Sequence, residues 1–289
     1  MKDKIFRLSI QKLKSKKTFS YLAKKFENDG VVVLENVLSQ RQCKKLIDLL
    51  EKSYKKYNNF YYSDKKNSKL SSEYSSKLVS NLHNKDYEFC KLIDNKSVLP
   101  IIKKFLQEGS YQEKGEIICQ DFGARTLVGK CDAQQIHNDT RIVGSKFPIM
   151  INTIWALDPF TKNNGSTRVL PGSHKFLSFA KNGKKYKKEI LIETSPGSVI
   201  IFNSAVWHGS SKVTKENMRR WAILIRYGRW FLKPSFDFLR NTPTKIFNKM
   251  NKNQKDLLGF RFVPPVDEFT ANSTRQKKHS KPERYNLPT

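Results

Sequence analysis

Over the first 110 residues the apolar positions recur at helical intervals. Phe19, Leu22, Ala23 and Phe26 fall on one side of a helical repeat, and Gly30 follows where a helix needs a residue that tolerates a left-handed conformation. Val31–Leu34 is a short β-branched run that predicts a buried strand. Ser39 then stands at the cap position of a second helix with Cys43, Leu46, Ile47, Leu49 and Leu50 on its apolar side. Residues 57–77 are polar, rich in Tyr, Asn and Ser, and aperiodic, which predicts a long loop. Helical spacing resumes over Asp86–Ile93 and Val98–Leu106.

From about Glu116 the pattern changes to short apolar segments separated by turn signals. Strands are predicted at Ile117–Phe122, Ile149–Leu157, Thr167–Leu170, Glu189–Ile192, Ser198–Asn203 and Arg220–Arg229. Asn163-Asn164-Gly165, Pro171-Gly172, Asn182-Gly183 and Pro196-Gly197 mark the turns. Strands so spaced predict a mainly β protein with flanking helices, its core a β-sandwich or jelly roll. The expected organisation is one domain over 1–270: a helical layer (1–110), a β core (about 116–230) and a helical extension (231–270, with helix near Thr244–Leu258). A basic tail over 271–289 is expected to be disordered.

Composition alters this picture little. A 38% hydrophobic content is that of a globular chain, and 289 residues suffice for a sizeable core. No apolar run approaches a membrane span, and the basic N-terminus has no apolar leader segment, so a cytoplasmic protein is expected. Cys43, Cys90, Cys119 and Cys131 form no C-x-x-C pair and read as reduced thiols. The net charge of +29 invites a nucleic-acid reading. Only 13 of the 55 basic residues are arginine, however, and the lysines are scattered; forks for phosphate and base recognition are sparse. A small, anionic substrate fits better than nucleic acid.

The candidate chemistry lies in the histidines. His137 and Asp139 stand two apart, so in extended backbone they project to one face. A further histidine would complete a two-histidine, one-carboxylate set that leaves open positions on iron(II). Alone, H-x-D is a weak signal. His208 strengthens it, because the buried strand that begins at Ser198 turns and delivers this histidine at its end. Eleven residues further on is Arg219, a bidentate partner for a carboxylate, and Ser210 can add a hydroxyl on the side of His208. Strand alternation groups Arg219 with Trp221, Ile223, Ile225 and Tyr227, and this bulky set is expected to face the interior, in preference to Arg220 with Ala222 and Leu224.

With these residues in hand, the chain resembles the phytanoyl-CoA dioxygenase family of Fe(II)/2-oxoglutarate-dependent oxygenases, which includes ectoine hydroxylase. The resemblance rests on "FENDGVVVLENVLS" (26–39), "HND" (137–139), "NNGSTRVLPGSH" (163–174) and "WHGSSKVTKENMRR" (207–220). It implies a double-stranded β-helix, cupin-like core and a dioxygenase using Fe(II), 2-oxoglutarate and O2 to hydroxylate an unactivated C–H, with release of succinate and CO2. It further implies His137, Asp139 and His208 as iron ligands, Arg219 and Ser210 as the 2-oxoglutarate clamp, and Trp155 beside the co-substrate. Asp139 favours hydroxylation over halogenation, since related halogenases replace this carboxylate with a small residue. An AlkB-type nucleic-acid demethylase is disfavoured because its repeated arginine pattern is missing around Arg219. A metal-binding cupin without catalysis is disfavoured by the complete triad and clamp.

The remaining candidates are weaker. His174 is expected to be a structural or entrance residue rather than a ligand, and His83 and His279 are expected to be solvated. Arg125 and Arg141 bracket the H-x-D segment, and either is able to meet an anionic substrate. No Gly-rich nucleotide loop is present.

Overall fold

A computed structural model of the chain describes residues 5–13, 15–57, 76–111, 116–127, 129–181, 183–215, 218–262 and 268–269. Most of the expected 57–77 loop and the 271–289 tail lie outside the described residues. The chain divides into two compact units, Met1–Ser80 with Gly123–Leu224, and Asn81–Phe122 with Ile225–Thr289.

The first unit begins with β1 (Arg7–Ser9), followed by α1 (Lys16–Asp29). Ser15 caps α1 by accepting from the Thr18 N–H, and Gly30, at φ 73°, ends it with its own N–H on the Phe26 carbonyl. β2 (Val31–Glu35) comes next, and then α2 (Gln40–Tyr57). Ser39 and Gln42 form a reciprocal cap: the Ser39 N–H donates to Gln42 Oε1 at 2.8 Å, and the Gln42 N–H to Ser39 Oγ at 3.3 Å. β3 (Ser76–Ser80) occupies the end of the segment expected to be loop.

The β core contains β4 (Ile117–Leu127), β5 (Met150–Ala156), β6 (Thr167–Leu170), β7 (Ile190–Ile192), β8 (Val199–Asn203), β9 (Trp207–Ser210) and β10 (Ala222–Arg229). One sheet has the order β1-β2-β8-β5-β10-β4-β3 and the other the order β7-β6-β9. This is a jelly roll. β1 runs parallel to β2, whereas β8 runs antiparallel to both β2 and β5. In register, Val33, Ile200 and Ile154 lie across from one another, as do Leu34, Val199 and Trp155. The first set belongs to a cluster that joins the two sheets, with Val169 of β6 and Ile192 of β7. Each such aliphatic side chain removed from water contributes about 1.5–3 kcal/mol. The second set faces the opposite side of the sheet, which is also buried. That is why β2 reads as an unbroken apolar run, VVVL, instead of an alternation.

Ala222, with Leu224 packed beside it, also belongs to the inter-sheet cluster. Trp221 points the other way and donates from Nε1 to Glu51 of α2 at 2.8 Å. The bulky odd-numbered set therefore turns outward, opposite to the register expected from bulk. Both faces of this sheet are covered, so size alone cannot identify the face between the sheets.

The second unit contains α3 (Tyr87–Ile93), α4 (Leu99–Leu106), α5 (Phe238–Asn241), α6 (Thr244–Phe247) and α7 (Lys252–Leu257). Tyr227 donates to the Ile93 carbonyl, and Arg229 to those of Phe105 and Glu108. His83 is fully buried here, against the expectation of a solvated residue. It bonds to Asn241 Oδ1 and packs on Phe238 at 4.7 Å. The local polarity of the sequence gave no sign of this, because its partners come from more than 150 residues downstream. Among the described residues, no helix is long and apolar enough to cross a membrane.

Candidate metal centre

His137 lies in the long connection between β4 and β5, where it forms an isolated antiparallel bridge to His208 of β9. The His137 N–H donates to the His208 carbonyl at 2.9 Å and the His208 N–H to the His137 carbonyl at 2.7 Å. Gly209 permits this approach, since a Cβ there would stand 2.9 Å from the Gln134 carbonyl oxygen and 3.1 Å from that of Gln135. The Asp139 N–H is held by the Ser204 carbonyl at 2.9 Å, which fixes the segment two residues further on.

Those restraints bring His137, Asp139 and His208 together, with one donor atom from each inside 4.8 Å of the others. Asp139 Oδ1 is 3.6 Å from His137 Nε2, and Asp139 Oδ2 is 3.7 Å from His208 Nε2. Each ring turns its Nδ1 onto a carbonyl two residues earlier, His137 onto Gln135 at 3.0 Å and His208 onto Val206 at 2.9 Å. With Nδ1–H donating, Nε2 carries the lone pair, which is the tautomer a metal requires. Asn152 donates to Asp139 Oδ2 at 2.5 Å and orients the carboxylate. The donor set therefore suits a divalent transition ion and leaves coordination positions open.

Ser210 lies on the same face of β9 as His208, since Thr167 and Val169 of β6 are their respective partners. Arg219 lies elsewhere. It makes a bidentate ion pair with Asp158, at 3.0 and 2.8 Å, and its side chain is 53% exposed. It lines a surface cavity with Cys43, Ile47 and Asp48, and the Asp158 bond raises its pKa. Arg220 is the buried one, at 7% exposure. Its guanidinium stacks 4.5 Å over Phe160, a member of the inter-sheet cluster, and its Nε has no hydrogen-bond partner among the described residues. Burial, and secondarily Arg125, pushes its pKa down to about 9. Trp155 is fully buried on the outward face and donates to Thr153 Oγ1 at 3.0 Å, whereas Asn152, Ile154 and Ala156 face the other way. Its register is thus opposite to that of the residue touching Asp139.

His174 tucks under Gly30, bonds through Nε2 to the Glu27 carbonyl at 3.1 Å and stands apart from the metal donors. All four cysteines are buried free thiols; burial raises Cys43 to about 11 and Cys90 to about 12, and raises Cys119 and Cys131 as well. Asn152, which contacts Asp139, is not among the candidates that the sequence offers. Asn152 was legible in principle, two residues before the apolar Ile154 on a predicted strand. Side-chain bulk favours Arg219 over Arg220 in the sequence, and the structure buries Arg220 instead.

A two-histidine, one-carboxylate cluster between the sheets of a jelly roll defines the class of non-haem metal oxygenases. Comparison with known proteins agrees. The family model for phytanoyl-CoA dioxygenase matches residues 26–221, and the chain belongs to that family. A multifunctional dioxygenase, prhA of Penicillium brasilianum, is 24% identical over 256 residues, covering 82% of this chain and 81% of that protein. An uncharacterised Mycobacterium bovis protein, Mb1539, is 29% identical over 135 residues, 46% of this chain and 49% of the other, so the chain spans about half the length of that relative. The structure of HygX from Streptomyces hygroscopicus, with nickel and 2-oxoglutarate bound, shares the fold at a TM-score of 0.57 and 12% identity, over 76% of this chain and 89% of that one. A second HygX structure also holds hygromycin B.

Proposed function

We propose that the protein is an Fe(II)- and 2-oxoglutarate-dependent dioxygenase that hydroxylates an unactivated C–H of a small molecule. The observation that carries this reading is the convergence of His137, Asp139 and His208, with each imidazole Nδ1 against a backbone carbonyl and each Nε2 near Asp139. In this reading those three side chains hold the iron, and Asn152 keeps the Asp139 carboxylate turned toward it. Bound there, iron with 2-oxoglutarate and O2 supplies oxidative decarboxylation to succinate and CO2 and the oxidant for C–H cleavage.

The co-substrate's distal carboxylate is assigned to Arg220, in place of Arg219. A buried guanidinium with an unpartnered Nε is costly unless an anion completes it, and Arg219 already has its carboxylate in Asp158. Ser210, on the His208 face, adds a hydroxyl donor. Asp139 occupies the carboxylate position, which supports hydroxylation over halogenation. A small-molecule substrate is supported by the hygromycin B held in the HygX relative of the same fold.

The test is anaerobic addition of Fe(II) and 2-oxoglutarate to the protein, read as a visible metal-to-ligand charge-transfer band. The band is expected in the wild type and lost in His137→Ala. Absence of the band, or its persistence in that variant, would sink the assignment.

A further inference from the structure

We infer that the surface formed by Ile142, Phe176, Leu177 and Phe179 docks on an anionic lipid bilayer. This inference does not depend on the oxygenase reading. Soluble surfaces rarely group large apolar side chains. Here Leu177 is 81% exposed, Ile142 51%, Phe179 48% and Phe176 44%. The two segments are neighbours, since a Cβ on Gly144 would stand 2.8 Å from Leu177 Cδ2. They rest on a fixed base: Phe176 packs edge-on against Trp207 at 5.2 Å, Tyr186 packs on the same indole at 5.0 Å, and the Ala180 N–H reaches Asn138 Oδ1 at 3.5 Å. Asn138 stands between two of the metal donors, so the patch borders the candidate centre.

The charge around the patch selects the occupant. Lys175, Lys181, Lys184, Lys185, Lys187 and Lys188 are all exposed, and no acidic residue occurs from 175 to 188. Apolar tips set among lysines are the composition of an interfacial anchor, in which the tips enter the headgroup boundary and the ammonium groups meet anionic lipid. A second copy of the chain would bring the same positive face and be repelled. The 271–289 segment is itself basic and offers no complement. A polyanion would account for the lysines but leave Leu177 and Ile142 without a role.

The test is co-sedimentation of the full chain with vesicles of phosphatidylcholine alone or mixed with phosphatidylglycerol. Binding is expected to the mixed vesicles only and to weaken as salt screens the lysines. Leu177→Asp combined with Phe179→Asp should weaken it by roughly tenfold or more. These side chains are exposed, so an unchanged melting temperature confirms that the variant folds. Lys184→Glu combined with Lys185→Glu should also weaken it. Failure to bind the mixed vesicles at low salt, equal binding to neutral vesicles, or wild-type binding by the Leu177/Phe179 variant would overturn the inference.

Discussion

Arg219 and Arg220 are adjacent and chemically identical, yet burial separates them. Arg219 is half in water and held by Asp158, so its loss removes a partly exposed ion pair of the kind worth about 0–1 kcal/mol. Arg220 lies under the surface beside Phe160, and its Nε has no hydrogen-bond partner among the described residues. Arg220→Ala is therefore expected to raise the KM for 2-oxoglutarate by roughly a hundredfold, while Arg219→Ala leaves it within about threefold. The reverse ranking would restore Arg219 as the clamp. Asn152 offers a second prediction. Its amide orients the Asp139 carboxylate, so Asn152→Ala should weaken Fe(II) affinity by about 10–100-fold with secondary structure unchanged. Metal titration followed by circular dichroism reads both quantities; wild-type affinity would remove Asn152 from the site.

At the scale of elements, β9 carries the site because it is read from two sides. Val169 and Thr167 of β6 fix the face that presents His208 and Ser210, and the bridge to His137 fixes the facing loop. Gly209 sits between those histidine and serine positions, where any side chain would press on the Gln134 and Gln135 carbonyls. Gly209→Ala should therefore lengthen the His137–His208 contact and reduce metal-dependent stabilisation. The expected result is a smaller rise in melting temperature on adding Fe(II) or Ni(II) than the wild type shows; an equal rise would mean that the loop accommodates the methyl group. The sequence anticipated much at this scale. Ser39 caps α2 as expected, with Gln42 as its reciprocal partner, and Thr167–Leu170 forms a strand with the predicted bounds. β1 and β3 are not predicted, since neither carries an alternation long enough to read, whereas the strand expected at Ser198–Asn203 turns and delivers His208 on β9 as predicted.

For the molecule as a whole, the buried titratable groups set the response to acid. Desolvation lowers His83 to about 3, with Lys85 adding to the shift and the Asn241 bond opposing it. The folded pKa lies below the ordinary 6.5, so between those values the unfolded chain binds a proton that the folded chain refuses. Stability from this group is thus complete at neutral pH and lost as pH falls through that window. Burial lowers His174 as well, with the same sign. His83→Gln keeps a donor for Asn241 but does not titrate, and its melting temperature should fall less steeply between about pH 6.5 and pH 4 than that of the wild type. Equal slopes would show that His83 is not the acid-sensitive group. The +29 charge acts at this scale too, where it strengthens attraction to anionic surfaces without selecting a fold.

By itself the sequence determined most core strands and the mainly β class, and it pointed to His137, Asp139 and His208, which the structure brings together. These depend on local periodicity, on short turns and on spacing along one chain. Only the tertiary structure decided which face of β10 lies between the sheets. A sheet buried on both faces erases the alternation that would otherwise mark inside from outside. The same cause turned Trp155 outward, brought Asn152 onto Asp139, and gave the buried place to Arg220 rather than Arg219. His83 was hidden for a related reason, because burial is set by what packs against a residue and not by its neighbours in sequence.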